Sequence, residues 1–164
     1  MLDDFREYIQ KLDHTAIAVH RIRDALLLYR DILGGTYYLG GTETGQGFRW
    51  AQFIFPGGNK IELLEPTNDN GFLAHFLRKH GEGVHHITFK VHRLEELVVR
   101  LKERGLRIVG EYYADPLWKE AFIPPGQAHG TIIQLAESPM PDSEAIKLWR
   151  PELDELLLNS SAAY

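Results

Sequence analysis

Two stretches of the chain carry the same alternation of apolar and polar positions. "HTAIAVHRI" begins at His14 and "HITFKVHRL" at His86. Each reads as a strand running into a helix, because residues two apart share a strand face. In the first, Thr15, Ile17 and Val19 share one face, and His14, Ala16, Ala18 and His20 the other. In the second, Ile87, Phe89 and Val91 oppose His86, Thr88, Lys90 and His92. The apolar face predicts packing on helices, and the histidine face predicts the wall of a cavity. The period then lengthens. "RIRDALLLYRDILGG" and "RLEELVVRLKERG" hold apolar residues at helical spacing and close on glycine. Three shorter strands follow each helix: "TYYLGG", "FRWAQFIF" and "NKIELLE", then "LRIVGEYY", "WKEAFI" and "GTIIQLAE". Glycine and proline punctuate the joins.

The two copies keep register at both ends. His14 corresponds to His86, and Glu62 to Gln134, at one shared offset of 72 residues. Such self-similarity predicts a duplicated βαβββ unit. The fold class expected is α+β, two paired βαβββ modules whose curved mixed sheets enclose a central cavity. The modules span 10–66 and 82–137, a helical linker covers 67–81, and together they make one domain over 1–137. Residues 138–164 read as a helical extension, with Leu153, Leu156 and Leu157 available to cover a sheet.

Composition narrows the function. A chain of 164 residues, 44% hydrophobic and 25% charged, has a packed core and length for one ordinary domain. A net charge of −5 disfavours a nucleic-acid surface. Zero cysteines exclude disulfides and thiolate metal sites. No stretch reaches membrane-spanning length, and "MLDDFREYIQK" holds no apolar run, so a cytoplasmic setting is expected.

The polar residues on the strands carry the candidate chemistry. Glu62 and Gln134 interrupt otherwise apolar last strands, and a buried carboxylate needs a partner or a hydrated cavity. If an approximate two-fold axis relates the modules, His14, Glu62, His86 and Gln134 converge. Imidazole nitrogens with carboxylate and amide oxygens suit one divalent ion, with cobalt, manganese, nickel, zinc and iron all compatible. The alternative is that each strand histidine is a hydrogen-bonded packing residue.

At these residues the chain resembles the vicinal-oxygen-chelate superfamily, the glyoxalase and bleomycin-resistance fold. "DHTAIAV", "KIELLEP", "GEGVHHITFKV" and "HGTIIQL" are most similar to methylmalonyl-CoA epimerases. The resemblance covers Leu12 to Glu137. It implies metal ligands at His14, Glu62, His86 and Gln134, with His85 turned to the packing side. It also implies proton transfer alpha to a carbonyl through a metal-stabilised enolate, a small-molecule substrate of the acyl-CoA type, and a homodimer. A glyoxalase I-type lyase, a dioxygenase and a non-enzymatic binding protein are the alternatives.

Two departures follow. The epimerases usually place their glutamate ligand in the second module, where this chain has Gln134. They also carry a base glutamate on the third strand of the first module. Counting five residues back from Pro56 puts Ala51 there, and five back from Pro125 gives Glu120. Both acidic groups are thus expected to have crossed between modules, with Glu62 as ligand and Glu120 as free carboxylate. Glu62 and Glu120 are the candidate acid and base. The alternative for Glu120 is a solvated strand residue.

Overall fold

The computed structural model describes residues 5–158, so the last six residues of the expected extension lie outside the described residues. The chain divides into two compact units: 15–84 with the extension from Asp142, and the segment ending at His14 with 85–141. The boundary falls inside strand β1 (Ile9–Ala18), after His14.

In the unit built on 15–84, β1 continues to helix α1 (Ile22–Leu26), which passes into a π-helical stretch over Leu27–Ile32. Strands β2 (Thr36–Glu43), β3 (Phe48–Ile54) and β4 (Lys60–Pro66) follow, then helix α2 (Phe72–His80). Strand order is β2-β3-β4-β1. β1 runs parallel to β4, and the hairpin pairs are antiparallel. Alternation sends the side chains to two cores. Val19, Ala51, Phe53 and Leu63 pack with Ile22 and Leu26 of α1. On the opposite face Ala16, Ala18 and Leu64 pack with Leu73 and Leu77 of α2. The histidine-bearing face of this strand, expected as cavity wall, is therefore covered beyond His14 by the linker helix.

The extension forms α4 (Asp142–Leu148) and α5 (Leu153–Leu158). Both lie against β2, the outer strand of this order. Gly40 donates its N–H to the Trp149 carbonyl at 2.8 Å, which pairs a group that an outer strand leaves open. Leu156 and Leu157 enter the α1 core, and Arg49 Nη1 donates to the Leu156 carbonyl at 2.8 Å. The leucines cover their own subunit's sheet.

The second unit repeats the plan. Strand β5 (Gly83–Val91) leads to α3 (Leu94–Glu103), then β6 (Val109–Tyr112), β7 (Lys119–Ile123) and β8 (Ile132–Glu137). Strand order is β5-β8-β7-β6, with β5 parallel to β8. Val91, Leu94, Leu97, Val98, Ala121 and Leu135 form its core with Tyr8 from the N-terminal segment. One device recurs in both units. Glu65, near the end of β4, accepts the Ile22 N–H of α1 at 2.7 Å. Glu137, ending β8, accepts the Arg93 and Leu94 N–H groups of α3 at 2.9 and 3.0 Å. Each carboxylate satisfies N–H groups that open a helix and so lack intrahelical partners. Among the described residues no helix is long and apolar enough to cross a membrane.

Candidate metal and proton-transfer site

Three of the four expected ligands meet within the second unit. His14 and His86 stand edge to face, with ring centroids 5.8 Å apart. Thr88, two residues after His86 on the same face of β5, links them to Gln134. Its hydroxyl donates to Gln134 Oε1 at 2.6 Å and lies 3.0 Å from His14 Nε2. All four side chains are buried.

Each histidine is oriented by the residue before it. His14 Nδ1 donates to Asp13 Oδ2 at 2.8 Å. That contact fixes the tautomer and makes Nε2 the nitrogen able to ligate. His85 occupies the corresponding place before His86, and the two Nδ1 atoms lie 2.9 Å apart. One must donate and the other accept. Burial pushes the His85 pKa down to about 4, so His85 is neutral near pH 7. Burial first, then the nearby His14 and His85, also holds the His86 pKa well below the usual histidine value. The tautomer in which His85 Nδ1 accepts would leave His86 to ligate through Nε2. His85 therefore turns to its neighbour and is not simply a packing residue.

Gln134 has both ends of its carboxamide engaged. Oε1 accepts from Thr88, and Nε2 donates to Glu120 Oε2 at 2.7 Å. Trp118 Nε1 donates to the same oxygen at 2.9 Å. Glu120 is thus a held, half-buried carboxylate on the site face, and its reading as a freely solvated strand residue falls away.

Glu62 belongs to the other unit. It is 8% exposed, stands opposite Ala16 in the β1–β4 ladder, and accepts from Gln52 Nε2 at 2.8 Å. Both modules thus contain one carboxamide-to-carboxylate hydrogen bond across the last hairpin, with the roles exchanged. Gln52 on β3 serves Glu62 on β4, whereas Gln134 on β8 serves Glu120 on β7.

The ladders correct the counting from proline. Glu120 pairs with Ala136, and Leu64, the counterpart of Ala136, pairs with Trp50. The first-module counterpart of Glu120 is therefore Trp50. Ala51 pairs with Leu63 on the opposite face and lies in the α1 core. The proline count fails because the hairpins differ by one residue between the strand and the proline. The conclusion that this position holds no acid in the first module stands, since indole is no better a base than alanine.

Sequence reading missed Asp13, Thr88, Gln52 and Trp118. Asp13 had a visible signal, since it precedes His14 as His85 precedes His86. Arg49 and Lys119 are engaged with acidic side chains: Arg49 faces Glu65 at 3.6 Å and Lys119 bonds Glu95 at 2.7 Å. A cavity of about 250 Å³ lies beside Lys119, His92 and Glu137, and none of the expected ligands lines it.

Residues 13–122 match the model of the glyoxalase/bleomycin resistance protein/dioxygenase superfamily, and the chain belongs to that superfamily. Several of the relatives it resembles are methylmalonyl-CoA epimerases. It is 32% identical over 136 residues to the ethylmalonyl-CoA/methylmalonyl-CoA epimerase of Cereibacter sphaeroides, covering 79% of this chain and 98% of that one. The crystal structure of methylmalonyl-CoA epimerase from Mycobacterium tuberculosis superposes with a TM-score of 0.74 at 31% identity, over 88% of this chain and 97% of that one. A Streptomyces coelicolor methylmalonyl-CoA epimerase in complex with 2-nitronate-propionyl-CoA matches with a TM-score of 0.71 at 27% identity, over 80% and 99%.

Proposed function

We propose that this chain is a metal-dependent epimerase of an acyl-CoA whose α-carbon also bears a carboxylate, methylmalonyl-CoA or a close relative. His14, Glu62, His86 and Gln134 would hold one divalent ion, and Glu120 and Glu62 would move the α-proton. One observation carries the reading: Gln134 joins the histidine cluster through Oε1 and the Glu120 carboxylate through Nε2. The epimerase relatives support the substrate class.

The donor set fits a divalent ion. His14, Glu62 and His86 each offer one ligand atom. Two imidazoles, a carboxylate and a carboxamide oxygen suit a borderline cation and keep most of its positive charge. Strand register supports counting Glu62 in the set. β1 is unbroken from Ile9 to Ala18, Ala16 follows His14 on the same strand face, and Glu62 stands opposite Ala16. When bound, the ion supplies Lewis-acid stabilisation of negative charge on a carbonyl oxygen, worth several kcal/mol.

The chain's own groups do the rest. Asp13 and His85 hold the two imidazoles in their ligating tautomers. Glu120 takes the proton from the α-carbon, and the electron pair spreads onto the thioester oxygen. Glu62 would have to loosen from the ion and take up a proton from solvent, and its transfer to the opposite face would invert the centre. Each carboxyl group then exchanges its proton with solvent, so no net proton is consumed. A placed carboxylate contributes about 10²–10⁴-fold to such a step.

Incubation with methylmalonyl-CoA in deuterated water tests the reading. Deuterium should enter the α-position at the rate of epimerisation, and Glu120→Gln should abolish it while the metal content persists. Absence of α-deuterium uptake by the metal-loaded protein would remove the epimerase assignment and favour another superfamily reaction.

A further inference from the structure

We infer that Trp118, braced by Lys90, is a positioning residue that sets which oxygen of Glu120 faces the reacting carbon. The inference rests on the reading of Glu120 as the proton acceptor.

Trp118 stands just before β7, two residues ahead of Glu120, so both side chains leave the strand on one face. The approach is a tight turn in which Asp115 Oδ1 accepts the Leu117 N–H at 2.8 Å. The indole Nε1–H then donates to Glu120 Oε2, the oxygen that also accepts from Gln134 Nε2. A carboxylate oxygen has two lone pairs, and here two N–H donors address both. Oε2 is occupied as an acceptor, and the plane of the carboxylate is set by two points. Two donors lower the basicity of Oε2, and the inference assigns proton uptake to Oε1.

The indole is itself held. Lys90, 8% exposed on the same face of β5 as His86 and Thr88, places Nζ 4.4 Å from the Trp118 ring centroid. A cation over an indole face is an attractive contact, and it strengthens when both partners are shielded from water. The first module lacks the arrangement. By ladder correspondence its residues are Phe48 for Trp118, Trp50 for Glu120 and Ala18 for Lys90, and these pack around Leu73 and Leu77 of α2. The module that holds Glu120 carries the devices that orient it.

The full-length metal-loaded protein tests this with five substitutions: Glu120→Gln, Glu120→Ala, Trp118→Phe, Lys90→Met and Lys90→Arg. Trp118→Phe keeps the ring beneath Lys90 and deletes only the N–H. It should lower kcat for α-deuterium exchange about 10- to 100-fold, with KM and metal content unchanged. Lys90→Met should lower kcat about threefold or more, and Lys90→Arg should restore it. The Trp118 indole ¹H–¹⁵N resonance, assigned by its loss in Trp118→Phe, should move in Glu120→Ala. A normal kcat in Trp118→Phe beside an inactive Glu120→Gln overturns this inference alone, as does an indole resonance unmoved in Glu120→Ala. Full turnover in Glu120→Gln overturns the base assignment instead.

Discussion

Gln134 Nε2 donates to Glu120 Oε2 at 2.7 Å, and this contact explains why the last strand of the second module carries an amide. A carboxylate at 134 would face the Glu120 carboxylate at hydrogen-bonding distance, and two like charges so close do not both ionise. In the first module the residue corresponding to Glu120 is Trp50, so Glu62 meets no acid there and accepts from Gln52 instead. On the proposed assignment, the ligand carboxylate and the proton-transfer carboxylate fall in different modules, which keeps both as anions.

Gln134→Glu should therefore separate metal binding from turnover. The added carboxyl binds a cation at least as tightly. One of the paired carboxyls keeps its proton, and turnover should fall by about 10²-fold or more. Metal analysis of the purified variant beside its epimerisation rate checks both. A variant as active as the parent would show that Glu120 does not act as an anion.

Asp13→Asn should weaken metal binding at the proposed site. Asp13 accepts the Nδ1 proton of His14 and so raises the basicity of Nε2. Losing such a partner typically lowers metal affinity about 10- to 100-fold. Competition with a chelator measures it, and an unchanged affinity would show that Asp13 does not tune His14 as a ligand.

Acid should destabilise the metal-free protein through His85. Burial lowers its pKa from 6.5 in the unfolded chain to about 4 in the fold. Between these values the unfolded chain binds a proton that the folded chain refuses. The stabilisation is complete above the unfolded value and drains as pH falls toward the folded one, by roughly 3 kcal/mol in total. Denaturant midpoints across this window should show the loss, and His85→Gln should reduce it, leaving the part owed to buried His86. A parental protein equally stable throughout the window contradicts the burial.

The extension should be part of the folded core. Leu157 is 1% exposed against α1, and Leu157→Ala should cost about 2–5 kcal/mol. Gly40→Ala should also destabilise, by about 1–3 kcal/mol. Its Cβ would lie 2.7 Å from Leu156 Cδ2 and 3.0 Å from the Trp50 carbonyl oxygen, which is backbone and cannot swing aside. Thermal midpoints of both variants check this, and an unshifted Leu157→Ala would mean the tail packs too loosely to matter.

Period-two alternation, helical spacing and the 72-residue offset are local or directly comparable along the chain. They therefore determined the βαβββ order, the strand faces and the chemical types at 14, 62, 86 and 134. Hydrogen-bond register between strands is not local, since each hairpin sets its own loop length. Only the ladders could match Glu120 to Trp50 rather than Ala51. Only packing could reveal α2 over Ala16, Ala18 and Leu64, or α5 within the α1 core, because apolar residues on separate helices carry no mark of which face they will cover. The hydrogen bonds of Asp13, Thr88 and Trp118 depend on side-chain directions fixed to a few tenths of an ångström, and those exist only once the whole sheet is assembled.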